Sequence, residues 1–177
     1  LELHDPDILG GTAIPMPAID DPQLLKLNAK QLAYMAARLR GCHYVAAYRM
    51  GAEMLRPEYF GLGHGDYRPT SWKHFTAWCR LHGETPPEKA ETLVESSAAR
   101  RLWLHYREQA MADRSAYYFR AILQEDDTHL CFYPTHGSTM LRNDRAKLGQ
   151  QPDTLAAAAD GIEMGHILID HDEERRN

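Results

Sequence analysis

Residues 87–124 read PEKAETLVESSAARRLWLHYREQAMADRSAYYFRAILQ. Pro86 and Pro87 open the stretch, and a helical period follows. Ala99, Trp103, Tyr106, Ala110 and Tyr117 lie close to one stripe of a helix. Leu104, Met111, Tyr118 and Ile122 form a neighbouring stripe, so the apolar face is wide. A wide face belongs to a helix packed on several sides. Thirty-eight helical residues would run about 57 Å at 1.5 Å each, too long for a domain of this size. A break is expected near Ser96–Ser97 or near Asp113–Ser115.

Working outward, Trp72, Phe75, Trp78 and Cys79 sit at one-turn spacing in a helix expected over 71–83, capped by Thr70 or Ser71 and stopped by Gly83. The same segment puts Trp72, His74, Phe75 and Trp78 together. Core aromatics are the favoured reading there, and a stacking platform for bases is the other. Leu25, Ala29, Leu32, Ala36 and Leu39 predict a helix over 22–40, with Asp21 as its cap and Pro22 at its first position. Val45, Tyr48, Ala52, Leu55 and Tyr59 continue the spacing and predict a second helix over 42–56, ended by Pro57. Residues 1–21 carry Pro6, Gly10, Gly11, Pro15 and Pro17, too much punctuation for a helix. They read as an extended arm draped on the body through Leu9, Ile14 and Met16.

Downstream, residues 128–134 and 166–170 are the strand candidates. An alanine-rich helix is expected over 152–164 between them. Residues 172–177 are a charged tail expected to fray. The expected fold is mainly α: a single-domain helical bundle of about five helices over 22–171, with a small β element near the C-terminus.

Composition bounds the function. The chain has 177 residues, 44% of them hydrophobic and 25% charged, which fits a folded protein and excludes wholesale disorder. A net charge of −5 disfavours nucleic acid as a partner for the surface as a whole, while leaving room for a local basic patch. Mean hydropathy is −0.54 and no run of about 18 apolar residues occurs, so no membrane span is expected. Cys42, Cys79 and Cys131 are odd in number and form no Cys-x-x-Cys pair. With no secretory signal pattern at the start of the chain, this predicts a cytoplasmic protein with reduced thiols. The chain opens on Leu1 rather than methionine, which fits a trimmed product.

Several constellations could carry chemistry. Gly61, Gly63 and Gly65 precede the 71–83 helix, and the loop also holds His64, Asp66 and Arg68. Free amides at a helix N-terminus hold anions, so His64, Asp66 and Arg68 are the ligand-binding candidates. The spacing matches no phosphate-binding fingerprint, and a connector needing positive φ is the plainer reading. Cys131 and His136, with Ser138 nearby, could form a nucleophile–base pair, against a structural thiol between Leu130 and Phe132. Glu163, His166 and Asp170 could meet a metal, but Gly161 and Gly165 argue against a shared helical face, and no metal site or cofactor is expected.

Arg38–His43 and Arg100–His105 each have four residues between arginine and histidine. The pattern resembles the catalytic signature of HEPN-type ribonucleases, which are small all-helical dimers. The resemblance would make Arg100 and His105 catalytic and allow a homodimer. In a chain with ten histidines such spacings also arise by chance. Arg40-Gly41-Cys42-His43-Tyr44-Val45 looks like the helix–Gly-Cys–helix segment of carboxymuconolactone decarboxylases and their peroxidase relatives. Val45 and Arg49 stand where those peroxidases have cysteine and histidine, so the likeness implies helix pairing and no two-cysteine redox cycle.

The resulting expectation is an accessory or regulatory protein that binds a macromolecule, foremost another protein. The alternative is a small hydrolase or nuclease using His64, His105, His136 and His166, with or without Cys131. An enzyme would gather at least three of these groups in one cleft.

Overall fold

The computed structural model describes residues 21–49, 69–135, 152–157 and 159–164. Among them 63% are helical, and the rest include a small three-stranded sheet. The expected arm, the glycine loop at 61–65, the strand at 166–170 and the tail at 172–177 lie outside the described residues.

Helix α1 spans Pro22–Leu39. The Asp21 carboxylate accepts from the amides of Gln23 (2.8 Å) and Leu24 (3.4 Å), and Pro22 occupies the first turn, where its missing N–H costs nothing. Ala29 and Ala36 are buried, and Leu25, Leu32 and Leu39 are half-buried, so the expected stripe is the packed one. Gly41, at φ 72°, turns the chain out of the helix in a conformation that glycine adopts without steric cost.

The described residues 42–49 are not helical. The Val45 amide donates to the Cys42 carbonyl (2.9 Å) in a turn, and Ala47–Arg49 forms strand β1. The helix expected over 42–56 is therefore corrected across 42–49, and with it the helix pairing implied by the decarboxylase likeness. The local spacing is helical, but pairing with a strand 80 residues later decides the structure. Ala47 faces Leu130, Tyr48 faces Cys131 and Arg49 faces Phe132.

Helix α2 spans Pro69–Leu81, again with proline at its start, and Gly83 at φ 72° follows its end. Helix α3 is a single turn, Thr92–Glu95. Ser96 then breaks the long stretch and caps the next helix, accepting from the Ala99 amide (3.3 Å). Helix α4 runs unbroken over Ser97–Leu123. Of the two expected breaks, the one at Ser96 occurs. At Ser115 the hydroxyl donates instead to the Met111 carbonyl within the helix (2.9 Å).

Strand β2 covers Leu130–Thr135, helix α5 is a short Pro152–Ala156, and strand β3 covers Gly161–Met164. The helix expected over 152–164 is thus corrected after Ala156. The alanine run supplies propensity, but Asp160 binds the neighbouring strand. Its carboxylate accepts from the Cys131 amide (2.7 Å) and its amide donates to the Cys131 carbonyl (2.9 Å). The sheet order is β1-β2-β3 and both pairings are parallel.

Two cores share α4. Its first half buries Ala99, Trp103 and Tyr106 against Phe75 and Cys79 of α2 and Leu93 of α3. Its second half buries Met111, Ala112, Phe119 and Ile122 against Ala36, Tyr48, Cys131, Tyr133 and Leu155. The expected stripes are both used, each by a different set of neighbours.

Candidate functional site

Where the two cores meet, one face of α4 floors a cleft of about 440 Å³. That is within the range of natural ligand pockets. Trp103, Tyr106, Arg107, Ala110, Arg114 and Tyr117 recur at helical spacing along the floor, and Arg120 ends it. Pro22 and Leu25 of α1 form part of the rim, and Ser71 and His74 of α2 another part. From Trp103 to Arg120 the floor is about 26 Å long at 1.5 Å per residue.

Sequence dictates this geometry. Trp103 is edge-on to Phe75, with ring centroids 4.9 Å apart, and lies 5.9 Å from Trp72. These contacts hold α2 against the first half of α4. Asn28 donates to the Tyr118 hydroxyl (3.1 Å), which holds α1 against the second half. Because α1 and α2 pack on different halves of α4, the face between them is left as a groove.

The groove combines carbon with positive charge. Arg107 is buried, Arg114 is half-buried and Arg120 is exposed. Asp113 is the acidic residue among the lining groups, and its carboxylate accepts from Gln109 (2.8 Å). Among the described lining residues, three arginines stand beside one carboxylate. Guanidiniums recognise carboxylates through paired hydrogen bonds, and they stack on aromatic rings.

A second polar cluster lies at the amino ends of β1 and β2. Asp126 is fully buried. Its Oδ1 accepts from the Thr128 amide (2.9 Å) and hydroxyl (2.6 Å), and its Oδ2 from the Tyr48 hydroxyl (2.6 Å) and His129 Nδ1 (2.6 Å). His129 Nε2 faces the Cys42 carbonyl at 3.2 Å. Burial alone would raise this carboxyl, but the donors outweigh it and hold the acid below the usual carboxylate range. Tyr48 is pushed up to about 12 by burial and by its bond to Asp126. The four donors saturate the carboxylate, so the cluster pins the turns before β1 and β2 to each other.

The sequence candidates fall in different places. His64, Asp66, Arg68, His136 and His166 are outside the described residues. Arg100 donates from Nε to the Leu93 carbonyl (3.0 Å), tying α4 to α3. His105 is exposed and edge-on to Trp78, with centroids 5.3 Å apart. Cys131 is fully buried in the sheet core, and burial followed by the nearby Asp160 and Asp126 charges pushes its thiol up to about 11. His105 thus lies on the surface beside Trp78, apart from the sheet core that holds Cys131. Phe75 is fully buried between Trp72, Trp103 and Tyr106, so the α2 aromatics form core.

Sequence reading missed Arg107, Arg114 and Arg120, because an arginine every turn or two on a long helix reads as a solvated face. It also missed Asp126 and Tyr48. The run Asp126-Asp127-Thr128-His129 after a helix is a turn signature that could have located the first. Among the described residues, no group of three histidine, cysteine or acidic side chains could hold a metal ion. No described helix is long and apolar enough to cross a membrane. No known protein family, curated protein or solved structure matches this chain.

Proposed function

We propose that this is an accessory or regulatory protein that binds another protein. The α1–α2–α4 groove receives an apolar segment of the partner flanked by carboxylates. The observation that supports the reading is the accessible end of the groove, where the exposed Tyr117 stands between the half-buried Arg114 and the exposed Arg120 along one face of α4. Aromatic and arginine side chains dominate protein-recognition hot spots, because they combine large contact area with directed polar groups. The net charge of −5 disfavours a nucleic acid over the surface as a whole, whereas a short peptide contacts the groove alone. The three free cysteines support a cytoplasmic setting for this partnership.

Anisotropy of labelled fifteen-residue peptides tests the reading. An apolar peptide with flanking aspartates is expected to bind more weakly as salt rises. The doubly substituted Arg114→Glu, Arg120→Glu protein is expected to lose at least tenfold in affinity. Equal binding of the same peptide with its carboxylates amidated would overturn the proposal, as would tighter binding of a single-stranded oligonucleotide.

A further inference from the structure

Both ring nitrogens of His129 face oxygens that only accept hydrogen bonds. Nδ1 lies 2.6 Å from Asp126 Oδ2, and Nε2 lies 3.2 Å from the Cys42 carbonyl. The hydroxyls around the ring commit their hydrogens to the same carboxylate, Tyr48 to Oδ2 (2.6 Å) and Thr128 to Oδ1 (2.6 Å). Thr128 Oγ1, 3.2 Å from Nδ1, therefore turns a lone pair toward the ring. A neutral imidazole has one N–H and one bare nitrogen, and only the imidazolium donates from both. The donors around Asp126 keep it ionised, so the proton between the two side chains sits on Nδ1. The bond to Cys42 then requires a second proton, on Nε2.

We infer that His129 is a proton-operated latch on the turn that leads into β1. As the imidazolium it ties the Cys42 carbonyl to Asp126 and holds the α1–β1 turn against the α4–β2 turn. As the neutral ring it keeps its Nδ1 proton, because an ionised carboxylate is a stronger acceptor than a carbonyl. Nε2 then meets the Cys42 carbonyl lone pair against lone pair, and the turn is released. The Cys42 carbonyl also accepts from the Val45 amide (2.9 Å), a local bond that shapes the turn without anchoring it to β2. The latch is independent of what fills the groove.

The groups around the ring leave this change to the histidine. From the α4–β2 turn they are Asp126 and Thr128, and from the α1–β1 turn Cys42. From β1 comes Tyr48, edge-on to the imidazole with centroids 5.7 Å apart and pushed up to about 12. Behind it in register stands Cys131 of β2, pushed up to about 11. Asp126 therefore stays ionised, and Tyr48 and Cys131 stay protonated, on both sides of neutrality. Arg40 and Asp127 join the same two turns at 3.5 Å, but both are exposed, and such pairs hold weakly. Histidine is the side chain whose charge ordinarily changes between about pH 5 and 8. The His129 side chain is 8% exposed, which leaves it a path for proton exchange with water.

Long-range proton–nitrogen NMR of the histidine rings and amide hydrogen exchange test this together on the 177-residue chain, from pH 5 to pH 9. At the acid end both His129 ring nitrogens should carry protons. At the alkaline end the ring should be the Nδ1–H tautomer. Protection of the Val45 amide and of the β1 amides, corrected for intrinsic exchange, should fall at least tenfold with the same midpoint as the ring. His129→Gln identifies the ring signals and should leave protection independent of pH over this range. A pH-dependent fall in that variant would overturn the latch. So would a neutral ring in the Nε2–H form, a ring that keeps one protonation state from pH 5 to pH 9, or a ring titration with protection unchanged. If the variant does not fold, the ring and exchange measurements on the native chain still decide.

Discussion

Tyr48 donates its hydroxyl hydrogen to Asp126 Oδ2 across 2.6 Å, joining positions 78 residues apart in the chain. Tyr48 lies in β1, and Asp126 sits in the turn between α4 and β2. The bond fixes β1 beside β2, and His129 completes the clamp by reaching from Asp126 to the turn before β1. A three-residue strand has little pairing of its own, so this contact is what makes its position definite.

Tyr48→Phe should cost about 1.5–3 kcal/mol, the usual range for a hydrogen bond to a charged group. Urea unfolding of the variant checks this. An unchanged midpoint would show that the carboxylate finds a replacement donor.

The same cluster predicts an acid limb. Asp126 has a folded-state pKa below its unfolded value, so its contribution is present above about pH 4 and is lost as pH falls toward the folded value. Unfolding free energy should therefore decline below about pH 4. Asp126→Asn should flatten that limb while lowering stability at neutral pH. An unchanged acid slope in the variant would place the titration elsewhere.

At the alkaline end the sign reverses. Cys131 and Tyr48 are held protonated, the thiol up to about 11 and the phenol up to about 12. Their contributions are complete below the unfolded values, roughly 8.5 and 10, and are lost as pH rises through the folded ones. Native-state labelling by a thiol reagent at neutral pH should accordingly spare Cys131 while modifying the half-buried Cys42. Labelling of both at one rate would contradict the buried placement.

How much of this was legible depends on the range of each interaction. Leu25, Ala29, Leu32, Ala36 and Leu39 identify α1 because a helix face is a local pattern. Ser96 identifies the break because a cap acts within three residues. Strand β1 is not legible in this way. Val45 and Tyr48 keep helical spacing, and only the Asp126 contact and the parallel register with β2 reveal their role. The groove was hidden for a related reason. Arg107, Arg114 and Arg120 align on α4 by period, but only the separate docking of α1 and α2 makes that face line a cleft.

Strand β3 offers a packing prediction. Gly161 faces Phe132 across the parallel pair, and a Cβ built at Gly161 would approach the Phe132 ring to 2.5 Å. Gly161→Val should thus destabilise by about 1–3 kcal/mol, the cost of overpacking. Adding Phe132→Leu should recover part of the loss, and a double variant no better than the single one would point to backbone strain instead.

The face of α4 between α1 and α2 is the recognition surface proposed above. Backbone and indole chemical-shift mapping of the 177-residue chain during titration with an aspartate-flanked apolar peptide tests this proposal. The account predicts that shifts concentrate at Trp103, Arg107, Ala110, Arg114, Tyr117 and Arg120, with Leu25 and His74 on the rim, and that the exposed Tyr34 and Met35 on the outer side of α1 stay unmoved. Saturable shifts centred on Tyr34 and Met35, with the α4 face silent, would contradict it.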